Sequence, residues 1–334
     1  MRLPSPLLAI TRLSNALRPL CRPLREVHYV MGTLLDIAVF EEDRERGKRI
    51  LRRCFQEARR LEELFSVHDE ESTLSQLNRR AGLGSVEVGE ELFAILQAAM
   101  RLSQGTLGAF DVTTGPLIEF WKKAGEEGKL PDEPSLKEVL GRVGNFKLSL
   151  HFPGTAELTQ PGMRLDLGGI GKGYAVDRMV QLLKGSGIKT AFINFGESSL
   201  YALGASPQGE AWRVLVKGME DEWAGVLDLK DQALSASGTY GRYVEIQGRR
   251  YSHVIDPRSG LPCESPAMAI VVGSKATEAE ALSTALLILG SDPGLRLLQR
   301  FPSMDGMILM TSRRMLMTSG FNRKAPFEAF KGRS

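Results

Sequence analysis

Helix-like and strand-like hydrophobic patterns are mixed along this chain without the regular alternation that a parallel β–α–β sheet requires. Apolar residues recur at helical spacing over residues 43–65, 89–105, 172–185 and 276–290. Runs typical of β-strands occupy residues 28–40, 146–152, 163–167, 190–203, 212–217, 267–273 and 306–318. The pattern therefore predicts an α+β fold with mixed or antiparallel sheets and packed helices.

No linker or internal repeat divides the sequence. Its 334 residues, 43% of them hydrophobic, suffice for one large core. We expect a basic N-terminal segment over residues 1–27 and one folded domain over residues 28–330. Within that domain, the Gly- and Thr-rich stretch 106–117 and the polar stretch 124–134 are predicted to be loops.

The first 25 residues contain five arginines and no acidic residue. Arg12 and Arg18 interrupt the apolar run that a secretory signal needs, and Cys21 lacks the small preceding residues of a lipoprotein cleavage site. We therefore expect a targeting or disordered segment rather than a well-formed signal, with peripheral membrane association left open. The whole chain carries a net charge of only +3, so the remainder offers no footprint for nucleic acid.

A cluster of glycines follows a predicted strand and opens a predicted helix in Asp166-Leu-Gly-Gly-Ile-Gly-Lys-Gly-Tyr174. Glycines at such a junction let a phosphate approach backbone N–H groups and the positive end of a helix, and Lys172 would add a positive charge. The same residues also suit a tight strand-to-helix turn with no ligand, and the spacing matches neither common nucleotide-binding motif.

Two further segments carry polar groups in predicted turns. In Gly108-Ala-Phe-Asp-Val-Thr-Thr114, Asp111 could accept a hydrogen bond from an adenine or a ribose, or could cap a turn. In Tyr251-Ser-His-Val-Ile-Asp256, His253 could act as a general base or bind phosphate, or could be structural.

The last segment places Glu280 and Thr284 four residues apart on a predicted helix, so both side chains share one face. A carboxylate and a hydroxyl suit a hard cation such as Mg²⁺. The alternative is a solvated helical edge, but the apolar neighbours of the pair argue against open surface. Glu278 and Ser283 fall on other faces.

Together these segments resemble the ApbE family, the FAD:protein FMN transferases. The resemblance covers roughly residues 29–320. The motifs that carry it are MGT at 31–33, FSVHDEESTLSQLN at 65–78, GAFDVTTGPL at 108–117, DLGGIGKGYAVD at 166–177, SHVIDPRSGLP at 252–262 and EALSTALLILG at 280–290.

The resemblance implies a domain that binds FAD in a cleft with Mg²⁺ and transfers FMN to a Ser or Thr hydroxyl of an acceptor flavoprotein, releasing AMP. It implies an acceptor that is a subunit of a membrane redox pump, and a location at the periplasmic face of the bacterial inner membrane, with the cytoplasm as the alternative. It assigns His253 to catalysis. The flavin-binding positions that it implies are Met31, His68, Ala109, Phe110, Asp111, Gly168, Lys172, Tyr174 and Ile255, and the metal-binding positions are Gly171, Glu280, Ser283 and Thr284.

The sequence departs from the family pattern at three of these places. Glu280 stands where the family usually has Asp, His68 stands where Tyr is common, and Gly196-Glu197-Ser198 replaces a Gly-Gly-Asp turn. Two other functions stay open: hydrolysis of FAD to FMN and AMP by the same site, and flavin binding without turnover.

Overall fold

The computed structural model describes residues 8–10, 22–218, 222–239, 243–264, 267–311 and 314–330. Most of the predicted N-terminal segment 1–27, including Cys21, lies outside these residues. Within the described chain, none of the helices is both long and apolar enough to cross a membrane.

Helices and largely antiparallel strands are interspersed along the described chain, as predicted for an α+β fold. The strands are β1 (Leu8–Ile10), β2 (Leu24–Val30), β3 (Thr33–Val39), β4 (Val86–Glu87), β5 (Leu148–His151), β6 (Thr155–Leu158), β7 (Ala191–Phe195), β8 (Ser199–Leu203), β9 (Trp212–Lys217), β10 (Trp223–Leu229), β11 (Gln232–Gly238), β12 (Tyr243–Ile246), β13 (Arg249–Ser252), β14 (Met268–Gly273), β15 (Met304–Thr311), β16 (Arg314–Met317) and β17 (Phe327–Ala329). The α-helices are α1 (Arg44–Phe65), α2 (Thr73–Arg79), α3 (Gly89–Gly105), α4 (Gly115–Glu127), α5 (Glu133–Leu140), α6 (Gly171–Gly185), α7 (Ala276–Leu289), α8 (Ser291–Leu298) and α9 (Phe321–Lys324).

The largest sheet has the strand order β16-β15-β14-β11-β8-β7-β3-β2, with antiparallel pairing throughout. Adjacent residues of a strand point to opposite faces of the sheet. Both faces of this sheet are covered, since its buried residues belong to two separate core clusters. On β7, Ile193 packs among the helices α1, α6 and α7, whereas Phe192 packs toward the smaller sheet β1-β9-β10-β17 and its buried Trp212. The molecule therefore has a helical layer, the large sheet and a second sheet.

The long amphipathic helix predicted over residues 43–65 is confirmed as α1. Asp43 caps its first turn by accepting a hydrogen bond from Arg46 N at 3.0 Å. Its apolar stripe, which includes Leu51, Cys54 and Leu61, is buried. Burial raises the pKa of the Cys54 thiol to about 12, so this cysteine is an inert packing residue.

Several sequence predictions were wrong in detail. The stretch 163–167 is not a strand. It is held by isolated hydrogen bonds, such as the one from Leu165 N to the Asn78 side chain. The loop expected over 106–117 contains a 3-10 helix at Val112–Thr114 and becomes α-helical from Gly115, where Pro116 occupies the first turn of α4. Helix α4 also extends into the stretch 124–134, which had been predicted as a loop.

Helices α6 and α7 approach each other so closely at Gly173 that no side chain fits there. A Cβ on Gly173 would overlap the carbonyl group of Ala276 and lie 2.9 Å from Thr277 N. The neighbouring cap reinforces the contact, because Asp177 accepts hydrogen bonds from Ala276 N at 2.8 Å and Thr277 N at 2.9 Å.

We expect Gly173→Ala to destabilise the protein by about 1–3 kcal/mol or more, since overpacking against backbone cannot be relieved by a side-chain rotation. Gly185→Ala is the matched control on the same helix: a Cβ there meets nothing within 4 Å, and the change should gain up to about 1 kcal/mol. Urea denaturation of both variants measures the difference. Equal free energies of unfolding would contradict the close α6–α7 packing.

Candidate active site

Turns and strand ends from distant parts of the chain meet at one end of the large sheet. Gly196 N in the β7–β8 turn donates to Leu34 O at the start of β3 at 2.8 Å, and Ala236 N on β11 donates to Ser198 O at 2.9 Å. These contacts surround a cavity of about 930 Å³, a size typical of a site for a large organic ligand.

The glycine segment forms one wall of this cavity. The Asp166 carboxylate accepts a hydrogen bond from Gly168 N at 2.7 Å, and helix α6 then begins at Gly171. Gly168, Gly169, Gly171 and Lys172 line the cavity, so the first residues of α6 form part of its wall, although Gly171 N donates to Leu167 O at 2.7 Å within the turn. The predicted tight turn into a helix is present, but the residues before it, 163–167, do not form the predicted strand.

Three of the predicted segments meet at Gly169. A Cβ at this position would lie 3.3 Å from the Phe110 ring and 3.8 Å from Thr284 Oγ1. Glycine here thus allows the aromatic loop and helix α7 to pack against the turn. Ala109 and Phe110 are buried in this wall, and both contribute to the cavity lining.

The Asp111 side chain is fully engaged by the protein. Its carboxylate accepts from Thr113 N at 2.8 Å, Thr113 Oγ1 at 2.7 Å and Asn145 N at 2.9 Å, and from Ser103 Oγ at 3.2 Å. The turn-capping interpretation is confirmed. Asp111 also lines the cavity. Its hydrogen bonds fix the loop that carries Phe110.

Glu280 is almost completely buried and already holds two donors. Its Oε1 lies 2.5 Å from Lys172 Nζ, and its Oε2 accepts from Gly173 N at 2.6 Å. Lys172 Nζ also donates to Gly168 O at 3.2 Å. The ammonium group is therefore held between a carboxylate and a carbonyl oxygen on the cavity wall.

Glu280 and Thr284 share the cavity-facing side of α7, as their spacing predicted. Ser283 does not line the cavity. Being three residues from Glu280 rather than four, it points toward β11, where its hydroxyl lies 2.8 Å from Ser237 Oγ and 3.2 Å from Ser235 Oγ. Ser237 in turn lies 3.3 Å from Thr284 Oγ1, so Ser283 reaches the cavity only through a hydroxyl chain.

Met31 occupies a left-handed backbone conformation in the β2–β3 turn, with φ of +49°. Such a conformation is uncommon for a residue with a side chain. It is held by a hydrogen bond from Met31 N to Glu62 Oε1 at 2.6 Å, and Met31 lines the cavity. Glu197 repeats this feature in the β7–β8 turn, with φ of +57°, and burial raises the pKa of its carboxyl while Lys217 opposes the rise.

His253 and Ile255 follow β13 and line the cavity, and the exposed His253 lies where the cavity opens to solvent. The segment is fixed behind them, because Ile255 bridges to Pro262, and Trp121 Nε1 donates to Gly260 O at 2.8 Å. His68 is also exposed and lines the cavity from the end of α1.

Most of the predicted site residues lie on this one cavity. Tyr174 does not: its hydroxyl donates to Glu91 on α3, and burial is the main cause of a raised pKa for this phenol. Gly171 lines the cavity as the first residue of α6, although the carbonyl that accepts from Lys172 belongs to Gly168. Sequence reasoning did not single out Glu62, Lys217, Ser235 or Ser237 as site residues.

The donor set on the α6–α7 wall fits a hard divalent cation. The carboxylate of Glu280, the hydroxyl of Thr284 and the carbonyl of Gly168 supply only oxygen, and a cationic group already lies between two of them. No three His, Cys, Asp or Glu side chains in the described ranges converge as a metal cage. A cation here would therefore need oxygens from its ligand, as Mg²⁺ does when it binds with phosphates.

Fold and cavity together define an α+β protein with a large cavity, one wall of which carries the first residues of α6 and a buried carboxylate–ammonium pair. The sequence profile of the ApbE family matches residues 31–308. This chain belongs to the ApbE family.

Curated relatives agree along most of the chain. A protein of Treponema pallidum (strain Nichols) named FAD:protein FMN transferase is 30% identical over 319 residues, covering 90% of this chain and 88% of the relative. A protein of Klebsiella pneumoniae (strain 342) with the same name is 30% identical over 295 residues, covering 87% and 90%.

Solved structures share the fold. The ApbE protein of Thermotoga maritima MSB8 superposes with a TM-score of 0.82 at 27% identity, covering 91% of this chain and 99% of that one. The flavin transferase ApbE of Vibrio cholerae gives a TM-score of 0.80 at 22% identity, with the same coverage, which supports the fold alone.

Proposed function

We propose that this protein cleaves FAD and transfers FMN to a hydroxyl group of an acceptor flavoprotein, with Mg²⁺ bound at the α6–α7 wall. The observation that carries the proposal is that Lys172, Glu280 and Thr284 line one wall of a cavity large enough for a dinucleotide, beside the first turn of α6. Curated relatives that match most of the chain are named FAD:protein FMN transferases.

In the proposed reaction, the acceptor oxygen attacks the FMN phosphorus. A new P–O bond forms, the bond from this phosphorus to the bridging oxygen breaks, and AMP leaves with that oxygen. The hydroxyl proton passes to a base, a role that we assign to His253 because it is exposed and lines the cavity. Because phosphoryl transfer depends on positioning and on charge neutralisation, the residues mainly orient the pyrophosphate and exclude water.

Glu280, Thr284 and the carbonyl of Gly168 would hold the metal, which would neutralise charge that develops on the phosphate oxygens. Lys172, in the first turn of α6, would supply a positive charge to the same pyrophosphate. Phe110 and Met31 offer apolar surface to the planar parts of the dinucleotide, while Asp111 keeps the Phe110 loop in place.

We further propose that the acceptor is a subunit of a membrane redox pump modified at a Thr or Ser, and that the enzyme works at the periplasmic face of the inner membrane. Both statements rest on the family resemblance. Cell fractionation followed by immunoblotting tests the location, and recovery of the protein only in the cytosol would contradict it.

The activity is tested by incubating the purified protein with FAD, Mg²⁺ and an apo-flavoprotein subunit of such a pump, followed by mass spectrometry of the intact acceptor. We expect a mass increase equal to FMN less one water, lost when the candidate Thr is replaced by Val and when EDTA is present. An unmodified acceptor, together with stoichiometric FMN and AMP in solution, would instead establish FAD hydrolysis.

A further inference from the structure

Lys172 and Glu280 form an ion pair in the wall of the cavity. The side chains are only 20% and 5% exposed, and Nζ lies 2.5 Å from Oε1. Buried pairs of this kind are strongly coupled, because removing one partner leaves a charge without compensation. A ligand that binds to either residue must therefore also compensate the charge of the other.

The ammonium group of Lys172 occupies the place where a cation would bind. It lies between Glu280 Oε1 and Gly168 O, and the second carboxylate oxygen is held by Gly173 N at 2.6 Å. A divalent cation such as Mg²⁺ binds oxygen ligands at about 2.0–2.1 Å. It cannot reach Oε1 while the ammonium stays there, because the two cations would share one oxygen and repel each other.

Lys172 can leave Glu280 only if another anion receives its charge. It is the second residue of α6, so its side chain starts in the first turn of that helix, which forms part of the cavity wall. A pyrophosphate bound beside that turn would offer the required negative charge within reach of the flexible lysine side chain. The ammonium would then exchange one anion for another.

We propose that Lys172 is an internal counter-ion of Glu280 that suppresses metal binding until a pyrophosphate-containing ligand draws it away. Metal and dinucleotide then bind cooperatively: each one strengthens the binding of the other by the same factor. The identity of the dinucleotide as FAD rests on the proposed function, whereas the competition between Lys172 and the metal does not.

The first experiment measures Mn²⁺ binding without nucleotide, by electron paramagnetic resonance of unbound Mn²⁺. We expect Lys172→Met to bind one Mn²⁺ at least 10-fold more tightly than wild type, and Lys172→Met with Glu280→Ala to lose this site. Lys275→Met is the matched control. Lys275 precedes α7 and lies 3.8 Å from Glu278, outside the cavity lining, so its removal should leave Mn²⁺ affinity unchanged.

The second experiment measures coupling with a methylene analogue of FAD, in which a CH₂ group replaces the bridging oxygen and prevents cleavage. In wild type, the saturating analogue should raise Mn²⁺ affinity at least 10-fold. In Lys172→Met this increase should be smaller than in wild type, because only the direct contact of the cation with the phosphates remains. In EDTA, the analogue should bind Lys172→Met more weakly than it binds wild type.

An equal or weaker Mn²⁺ affinity of Lys172→Met would overturn the proposal. Because unpaired Glu280 could destabilise that variant, Lys172→Gln provides a second test that keeps a hydrogen-bond donor, and Mn²⁺ should raise its Tm more than that of wild type. Neither binding measurement requires turnover. If Lys172→Met binds Mn²⁺ tightly but the wild-type enzyme flavinylates no acceptor, the proposed function fails while the counter-ion role stands.

Discussion

Glu280→Ala should reduce FMN transfer on the order of 10²–10³-fold, the loss typical when one charge-stabilising group is removed from a reacting centre. Glu280 supplies the only carboxylate that contacts Lys172 among the described side chains and also orders Gly173 N. Its loss removes the carboxylate that we propose as the anionic ligand of Mg²⁺ and leaves the lysine without its partner. Initial rates measured over a range of Mg²⁺ concentrations test this expectation.

The controls separate chemistry from folding. Glu278→Ala lies on the same helix, where Glu278 pairs only loosely with Lys275 at 3.8 Å, and it should retain nearly full activity. Glu280→Gln keeps the side-chain shape and an acceptor for Gly173 N, so it should fold yet lose most of the activity. Thr284→Ala should require a higher Mg²⁺ concentration for half-maximal activity than wild type. If Glu280→Ala keeps both the rate and the Mg²⁺ dependence of wild type, the metal assignment is wrong.

His253→Ala should slow transfer by about 10²–10⁴-fold, the usual contribution of a positioned acid–base group. The side chain stands at the mouth of the cavity, where an acceptor protein must present its hydroxyl group. The loss should fall mainly on kcat, because the histidine contributes little apolar surface to dinucleotide binding. Single-turnover rates with a saturating acceptor measure the effect.

A second histidine provides the comparison for this variant. His151 is exposed on β5 and lies outside the cavity lining, so His151→Ala should transfer FMN at the wild-type rate. Histidine changes charge between pH 5 and 8, so the rate of His253→Ala should vary less with pH over that range than the wild-type rate. A wild-type rate and pH profile for His253→Ala would remove this residue from the mechanism.

The sequence predicted best those elements whose signals are local. Helix α1 carries its own cap at Asp43 and a continuous apolar stripe, so both its presence and its ends could be read directly. The stretch 163–167 failed because its apolar residues pack inward without a neighbouring strand; Leu165 N and Asp166 N bond to Asn78 and Val112 instead. Partners so far apart in sequence leave no periodic signal.

The same distinction holds for the cavity. Glu280 and Thr284 could be predicted together because helical spacing alone places them on one face. Glu62 and Ser237 could not, since each reaches the cavity through the pairing of elements that are distant in sequence. Glu197 was noted in the sequence as part of an unusual turn, and only the structure shows its positive φ, which often marks a functional position.

The strand order of the large sheet also dictates when the cavity can form during protein synthesis. Hairpin β2–β3, which carries Met31, pairs through β3 with β7, whose partner residues 191–195 are made about 150 residues later. At about 5–20 residues per second, the hairpin waits on the order of 10–30 s for its neighbour. Helix α7 and strands β14 and β15 follow later still. A nascent or truncated chain therefore lacks a complete cavity, and ligand binding reports that the whole domain has folded.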